Sequence, residues 1–190
     1  MEAETTTQDK MHGSMFVLLE HFVESTGGAG AWTRLLEKIG IDHAPYQMQE
    51  MYSTDELFAL VGQAAEDAGI SPYDFMEQYG EFLVPDLLMG YRRYIRPEWR
   101  TYEMLLHTEE AMHGAVKKED PRTSPPKLVV TRQSNQRLII EYYSKRRMAG
   151  VAVGIIRGIA KYYREEDRVK VTRMTEPHAE TVQILVDFKS

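Results

Sequence analysis

A chain of 190 residues with 29 acidic against 23 basic side chains, a formal charge of −6 and 43% hydrophobic residues is suited to one globular domain, and its acidity argues against nucleic acid as a partner. No apolar run approaches the ~20 residues of a membrane span and the first residues lack a signal pattern, so no membrane association and a cytoplasmic address are expected. Cysteine is absent, which removes disulfides, thiolate metal ligands and cysteine nucleophiles together; a metal would have to be held by His, carboxylate or tyrosinate.

Residues 1–10 (MEAETTTQDK) are polar and Thr-rich without apolar periodicity, and read as a disordered tail. From Met11 onward Met15, Leu18, Leu19, Phe22 and Val23 recur at helical spacing, and Gly27-Gly28 closes that first helix. Ala31 to Lys38 predicts a second helix, with Trp32, Leu35, Leu36 and Ile39 on one face and Gly40 as its stop. A third follows Ser53-Thr54, where Glu56 stands three residues after Ser53 in a capping-box relation, and ends near Gly69. Ser71-Pro72 opens a fourth, carrying Phe75, Tyr79, Phe82 and Leu83. Pro97-Glu98 predicts another start, with one long helix from Trp99 to about Lys118 that bears His107 and His113.

After Asp120 the pattern changes. Pro121, Pro125 and Pro126 form a rigid connection, then Leu128-Val129-Val130 and Leu138-Ile139-Ile140 flank the turn-rich 133–136 segment as a hairpin. Met148, Val151, Ile155, Ile159 and Tyr162 restore a helical period, and Val169 to Met174 and Thr181 to Phe188 supply two closing strands. The expected fold class is α+β: a helical N-terminal lobe followed by an antiparallel sheet with a long helix, in a single domain over residues 11–190 whose lobes divide near residue 65.

Of the six histidines, two share the long helix. At about 100° per residue, Trp99, Tyr102, Leu105, Leu106, Met112, His113 and Val116 fall within one arc, whereas His107 falls outside it. His113 is therefore expected to face the interior and His107 water. An isolated interior histidine is most simply a core residue satisfied by a carbonyl.

The segment Glu141-Tyr142-Tyr143-Ser144-Lys145-Arg146 alters that reading. It holds a Tyr-x-Ser-x-Arg pattern where a strand gives way to a helix, and two hydroxyls with one guanidinium can clasp a pair of carboxylates. With His113 and Pro126 upstream in that order and spacing, the chain resembles the H-NOX family of haem-based nitric oxide and oxygen sensors. Met11-His12-Gly13 is similar to the family's short Met-x-Gly opening, and Tyr79-Gly80 to its Phe/Tyr-Gly pair. The resemblance implies haem b held between the lobes, His113 as the iron ligand, Pro126 pressing on the porphyrin, and Tyr142, Ser144 and Arg146 on the propionates.

It also implies a ligand pocket lined by Met15, Leu19, Leu83, Val151 and Ile155. Val151 stands where oxygen-binding members place a tyrosine, and it cannot donate a hydrogen bond. A sensor of nitric oxide (and CO) that excludes oxygen is the expectation. It would act by population shift on a signalling partner, a histidine kinase or a cyclic-di-nucleotide enzyme, since the chain has no catalytic module of its own and is not expected to be an enzyme. Glu109, one turn before His113, departs from the aliphatic residue usual in the family; it is either an exposed edge residue or a hydrogen-bond partner for the imidazole. Two other readings remain at this stage: a haem-free protein interaction module, and a non-haem iron carboxylate protein built on the Glu110-x-x-His113 step, for which a second such step is missing.

Overall fold

The computed structural model describes residues 8–189 and divides into two compact units, Met1–Pro72 and Tyr73–Ser190. The division falls in the first turn of a helix rather than near residue 65, because the preceding helix continues unbroken to Ala68 and is stopped only by Gly69 in the left-handed conformation, φ 68°.

The first unit pairs two short strands, β1 (Lys10–His12) and β2 (Met51–Ser53), antiparallel with Met11 opposite Tyr52. Around them stand α1 (Gly13–Gly27), α2 (Ala31–Ile39) and α3 (Thr54–Ala68). Neither strand was expected, since three residues are too few to show alternation. The strand pairing also corrects the reading of residues 1–10 as a tail. Residues 1–7 lie outside the described residues, but Lys10 belongs to β1, and Asp9 accepts hydrogen bonds from the Thr54 amide (3.0 Å) and hydroxyl (2.6 Å).

Gly13 of the Met-His-Gly opening has a steric reason. Its amide donates to the Glu50 carbonyl at 2.7 Å, and a Cβ there would be driven into the Gln47 carbonyl oxygen. The Glu24 carboxylate caps α2 from a distance, accepting from the Gly30 and Trp32 amides at 2.9 and 2.8 Å, a favourable charge at a helix N-terminus. At α3 the expected capping box does not form. Ser53 accepts from the Asp55 amide at 3.2 Å, while Glu56 turns instead to the Tyr46 hydroxyl at 2.8 Å and the His43 ring at 3.1 Å.

Both ring nitrogens of His43 face acceptors, the Ala44 carbonyl at 2.7 Å and the Glu56 carboxylate at 3.1 Å. The carbonyl bond first, and then the carboxylate, hold its pKa above the ordinary 6.5. A raised folded-state pKa gives stability that is fully present below the unfolded value and lost as pH rises through the folded one. The wild type should therefore exceed His43→Gln by a margin that is constant at acid pH and shrinks above about pH 6.5. The margin should stay under about 1 kcal/mol, because the side chain is 40% exposed. Urea melts of both proteins from pH 5.5 to 8.5 check this; a margin that does not change with pH refutes it.

The second unit contains α4 (Pro72–Gly90), entered at the division, then α5 (Thr101–Thr108), a five-residue π-turn (Glu109–His113), α6 (Gly114–Glu119), the hairpin β3 (Lys127–Ser134) and β4 (Arg137–Tyr143), α7 (Ala149–Tyr162), β5 (Val169–Arg173) and β6 (Thr181–Phe188). The four strands form one antiparallel sheet in the order β3-β4-β6-β5. Leu138, Ile140 and Tyr142 of β4 alternate inward beside Val182, Ile184 and Val186 of β6, and pack with Met104, Leu105, Met112, Val153 and Ile156 into one core.

The long helix expected from Trp99 to Lys118 begins at Thr101, with the Glu103 carboxylate accepting the Arg100 amide at 3.1 Å, and is interrupted by the π-turn, where the Gly114 amide bonds the Glu109 carbonyl. A single i→i+5 turn is too short to change the helical period read over the whole segment, so periodicity does not report it. On the outer edge of the sheet the Tyr102 hydroxyl donates to the Ser134 carbonyl at 2.7 Å.

α7 lies against α4 at backbone contact. Gly150, Gly154 and Gly158, four residues apart, form the seam on α7, and Gly80 answers from α4. A Cβ at Gly150 would stand 2.8 Å from the Tyr73 carbonyl oxygen, and one at Gly158 would stand 2.9 Å from that of Glu81. At Gly80 it would enter the Val151 carbonyl, and at Gly154 that of Glu77. Arg157 with Glu77, and Lys161 with Glu81 at 2.9 Å, close the exposed side of the seam.

Candidate functional site

His113 ends the π-turn with its side chain 16% exposed. Its Nδ1 lies 2.8 Å from Oε2 of Glu109, one turn earlier, and no partner for Nε2 occurs among the described residues. Burial pulls the imidazole pKa below its ordinary value, and the Glu109 bond only partly offsets this. The ring is thus neutral at neutral pH, with its proton on Nδ1 facing the carboxylate and the Nε2 lone pair available to a metal.

The same Glu109 oxygen accepts the Leu128 amide at 2.8 Å, which ties the π-turn to the start of β3 just after Pro126. Leu128 is opposite Tyr142 in the β3–β4 register. From Tyr142 the chain leaves the sheet in a tight turn: the Ser144 amide donates to the Glu180 carbonyl at 2.9 Å, and the Arg147 amide to the Ser144 carbonyl at 3.1 Å. Arg147 takes a left-handed φ of 55°, a conformation costing about 1–2 kcal/mol for a side chain of this kind, which the surrounding bonds impose.

Within that turn the expected polar trio is assembled. Tyr142 is buried, and burial raises its hydroxyl pKa against the opposing hydrogen bonds from Ser144 and the Met148 backbone and the nearby Arg146 charge. Ser144 Oγ accepts the Arg146 amide at 3.2 Å, so it caps the turn rather than α7, which starts at Ala149. The Arg146 guanidinium reaches the Ser124 carbonyl at 2.5 Å, two residues before Pro126, itself half-buried. His113, Pro126, Tyr142, Ser144 and Arg146 are therefore linked in one unit through Glu109, Leu128 and Ser124. These last contacts are mostly backbone and leave no side-chain signature in the sequence; Glu109 alone could be suspected, from its spacing to His113.

His107 corrects its expectation. It is half-buried, stacked on Trp99 with ring centroids 4.9 Å apart and planes at 13°, rather than turned wholly to water. Among the residues expected to line a pocket, Leu83 and Val151 are buried and Ile155 is half-buried against the core of the second unit; Met15 and Leu19 stand on α1 of the first, Leu19 buried and Met15 half-buried. Gly80, of the Tyr79-Gly80 pair, fixes the backbone of Val151.

The sequence profile of the haem-NO-binding family matches residues 12–171. The chain belongs to the haem-NO-binding, or H-NOX, family. Comparison with curated protein sequences gives no match. Among solved structures, the chain is similar to an H-NOX protein from S. oneidensis in the Fe(II)NO ligation state, at 22% identity and TM-score 0.83 over 95% of this chain and 100% of that one. A solution structure of an S. oneidensis H-NOX domain in the Fe(II)CO state matches at 22% identity and TM-score 0.81, covering 94% and 99%. An unliganded Fe(II) H-NOX protein from K. algicida matches at 19% identity and TM-score 0.80, covering 95% and 97%.

The α+β fold expected from the sequence is the H-NOX fold. H-NOX domains bind haem and are gas sensors rather than enzymes. The residues in place fit that cofactor: an imidazole with one nitrogen committed and the other uncommitted, a proline leading into the strand tied to it, and hydroxyl and guanidinium donors suited to carboxylates. Among the described residues no group of three or more His, Cys, Asp or Glu side chains is placed to hold a metal ion, so the carboxylate-iron reading finds no ligand set there. Among the described residues no helix is long and apolar enough to cross a membrane.

Proposed function

We propose that this chain is a nitric oxide sensor that holds haem b through His113 and passes its signal to a partner enzyme. The observation that carries the reading is the Glu109-anchored imidazole, tied through Leu128 to the strand pair that ends in the Tyr142-Ser144-Arg146 turn. When bound, the haem supplies a ferrous iron that takes diatomic gases. Support for nitric oxide and CO comes from the S. oneidensis relatives, solved with those ligands.

The chain's own residues account for selectivity and hold. His113 would hold the iron through Nε2, and Arg146, with Ser144 and Tyr142, would offer charge-assisted hydrogen bonds to the two carboxylates. Pro126 would supply a rigid contact to the porphyrin. Leu83, Val151 and Ile155 of the second unit would face the gas. None of these three side chains can donate a hydrogen bond, so bound oxygen would gain no support from them, whereas nitric oxide needs none.

Signal output is a population shift in the protein, read by a histidine kinase or a cyclic-di-nucleotide enzyme, and the domain works in the cytoplasm.

The test is the absorption spectrum of protein produced with haem precursor, reduced without oxygen, then exposed separately to air and to nitric oxide. The expected result is a haem spectrum unmoved by brief aeration and changed by nitric oxide. In the Val151→Tyr variant, aeration of the reduced protein should also change the spectrum, because the phenol donates where Val cannot. A colourless protein would support the interaction-module reading instead, and a wild type that changes on aeration would refute oxygen exclusion.

A further inference from the structure

Glu109 stands one turn before His113, and the structure gives it two hydrogen bonds at one oxygen. Oε2 faces His113 Nδ1 at 2.8 Å and accepts the Leu128 amide at 2.8 Å, while Oε1 lies 3.9 Å from the Lys117 ammonium. The first bond closes a helical turn and the second spans nineteen positions in sequence. The carboxylate is one-third exposed, and nothing about its packing requires a charge.

We propose that Glu109 is a positioning residue that sets the donor strength and orientation of His113 and fastens it to the edge strand of the sheet. This rests on the reading of His113 as the iron ligand. The physical reasoning has two parts. A carboxylate accepting the Nδ1–H fixes the tautomer and makes Nε2 a stronger donor than a carbonyl or a water partner would. Because the same oxygen holds the Leu128 amide, His113 cannot tilt without lengthening a bond to β3. Displacement of the ring is thereby felt at the strand that pairs with Tyr142, two residues from Ser144. The π-turn supplies the geometry: its widened backbone, with the Gly114 amide bonded back to the Glu109 carbonyl, places Glu109 and His113 on its two ends.

Glu109→Gln and Glu109→Leu in the haem-loaded, reduced protein test the proposal. Gln keeps an acceptor and loses the charge; Leu loses both. The iron–histidine stretching band should fall in frequency from wild type to Gln to Leu, and the reduction potential should rise in the same order, as a weaker donor supports the ferric state less. Amide hydrogen exchange at Leu128 should accelerate in the Leu variant while Ile140 and Ile184 keep their protection. Equal stretching frequencies in all three proteins overturn the proposal with the haem reading intact. Unchanged exchange at Leu128 overturns the fastening to β3. If Leu misfolds, the Gln variant alone still decides, since an unmoved band and potential there refute the role of the charge. A wild type without a haem spectrum refutes His113 as an iron ligand, and the inference falls with it; that failure is distinct because it appears before any Glu109 variant is compared.

Discussion

His113→Ala is expected to lose its haem during purification, with affinity falling more than about 100-fold, beyond the 10–100-fold range for losing an outer partner of a metal ligand. The reason is the single imidazole: no cluster of other metal-binding side chains exists among the described residues to replace it. The fold should survive. Glu109 remains one-third exposed and keeps the Leu128 amide, so the deletion leaves no buried charge unpaired. The haem absorbance per protein, beside a circular-dichroism melt, checks both halves. His107→Ala should retain its haem, since that ring is engaged with Trp99 and not with the linked site. Full haem retention in His113→Ala would remove the ligand assignment.

The second large effect is structural. Gly154→Ala should destabilise the protein by about 2 kcal/mol or more, as overpacking of about 3 kcal/mol or more outweighs the ~1 kcal/mol that alanine gains over glycine in a helix. The new methyl would be driven into the Glu77 carbonyl oxygen, a backbone atom that can give way only if α4 and α7 separate. A fall in Tm of roughly 4–8 °C or more is expected, at about 2–4 °C per kcal/mol for a chain of this size. Gly62→Ala supplies the contrast. Nothing lies within 4 Å of a Cβ there, in the middle of α3, so the same substitution should stabilise by up to about 1 kcal/mol. Thermal melts that moved in the same direction for both would refute the argument from close approach.

These cases also mark what can be read from the chain itself. Helices that end at Gly40 and Gly69 are legible because a left-handed residue closes each, and glycine adopts that conformation without cost. The hairpin is legible because two apolar runs flank a polar turn. The strands β1 and β2 are not, because their pairing joins residues about forty positions apart and rests on backbone groups. Glu56 shows a local rule overridden: its spacing from Ser53 suits a cap, but Tyr46 and His43 offer a closer set of donors. The four-residue spacing of Gly150, Gly154 and Gly158 went unread in the sequence, because it acquires meaning only once α4 lies against it. At the site, His113, Tyr142, Ser144 and Arg146 could be grouped by their order, but the bonds that link them in the structure could not be read, since Leu128 and Ser124 contribute only main-chain atoms.

The cover along β3 has a consequence beyond the site. An outermost strand offers a row of main-chain donors and acceptors to any other extended chain, and proteins suppress such pairing by blocking it. Here the Leu128 amide is taken by Glu109 at one end, and the Ser134 carbonyl by Tyr102 at the other. Both guards come from the helical rod that carries His113. A change that pulls this rod away from the sheet would therefore uncover an adhesive border, so the segment that carries His113 also shields an edge open to self-association.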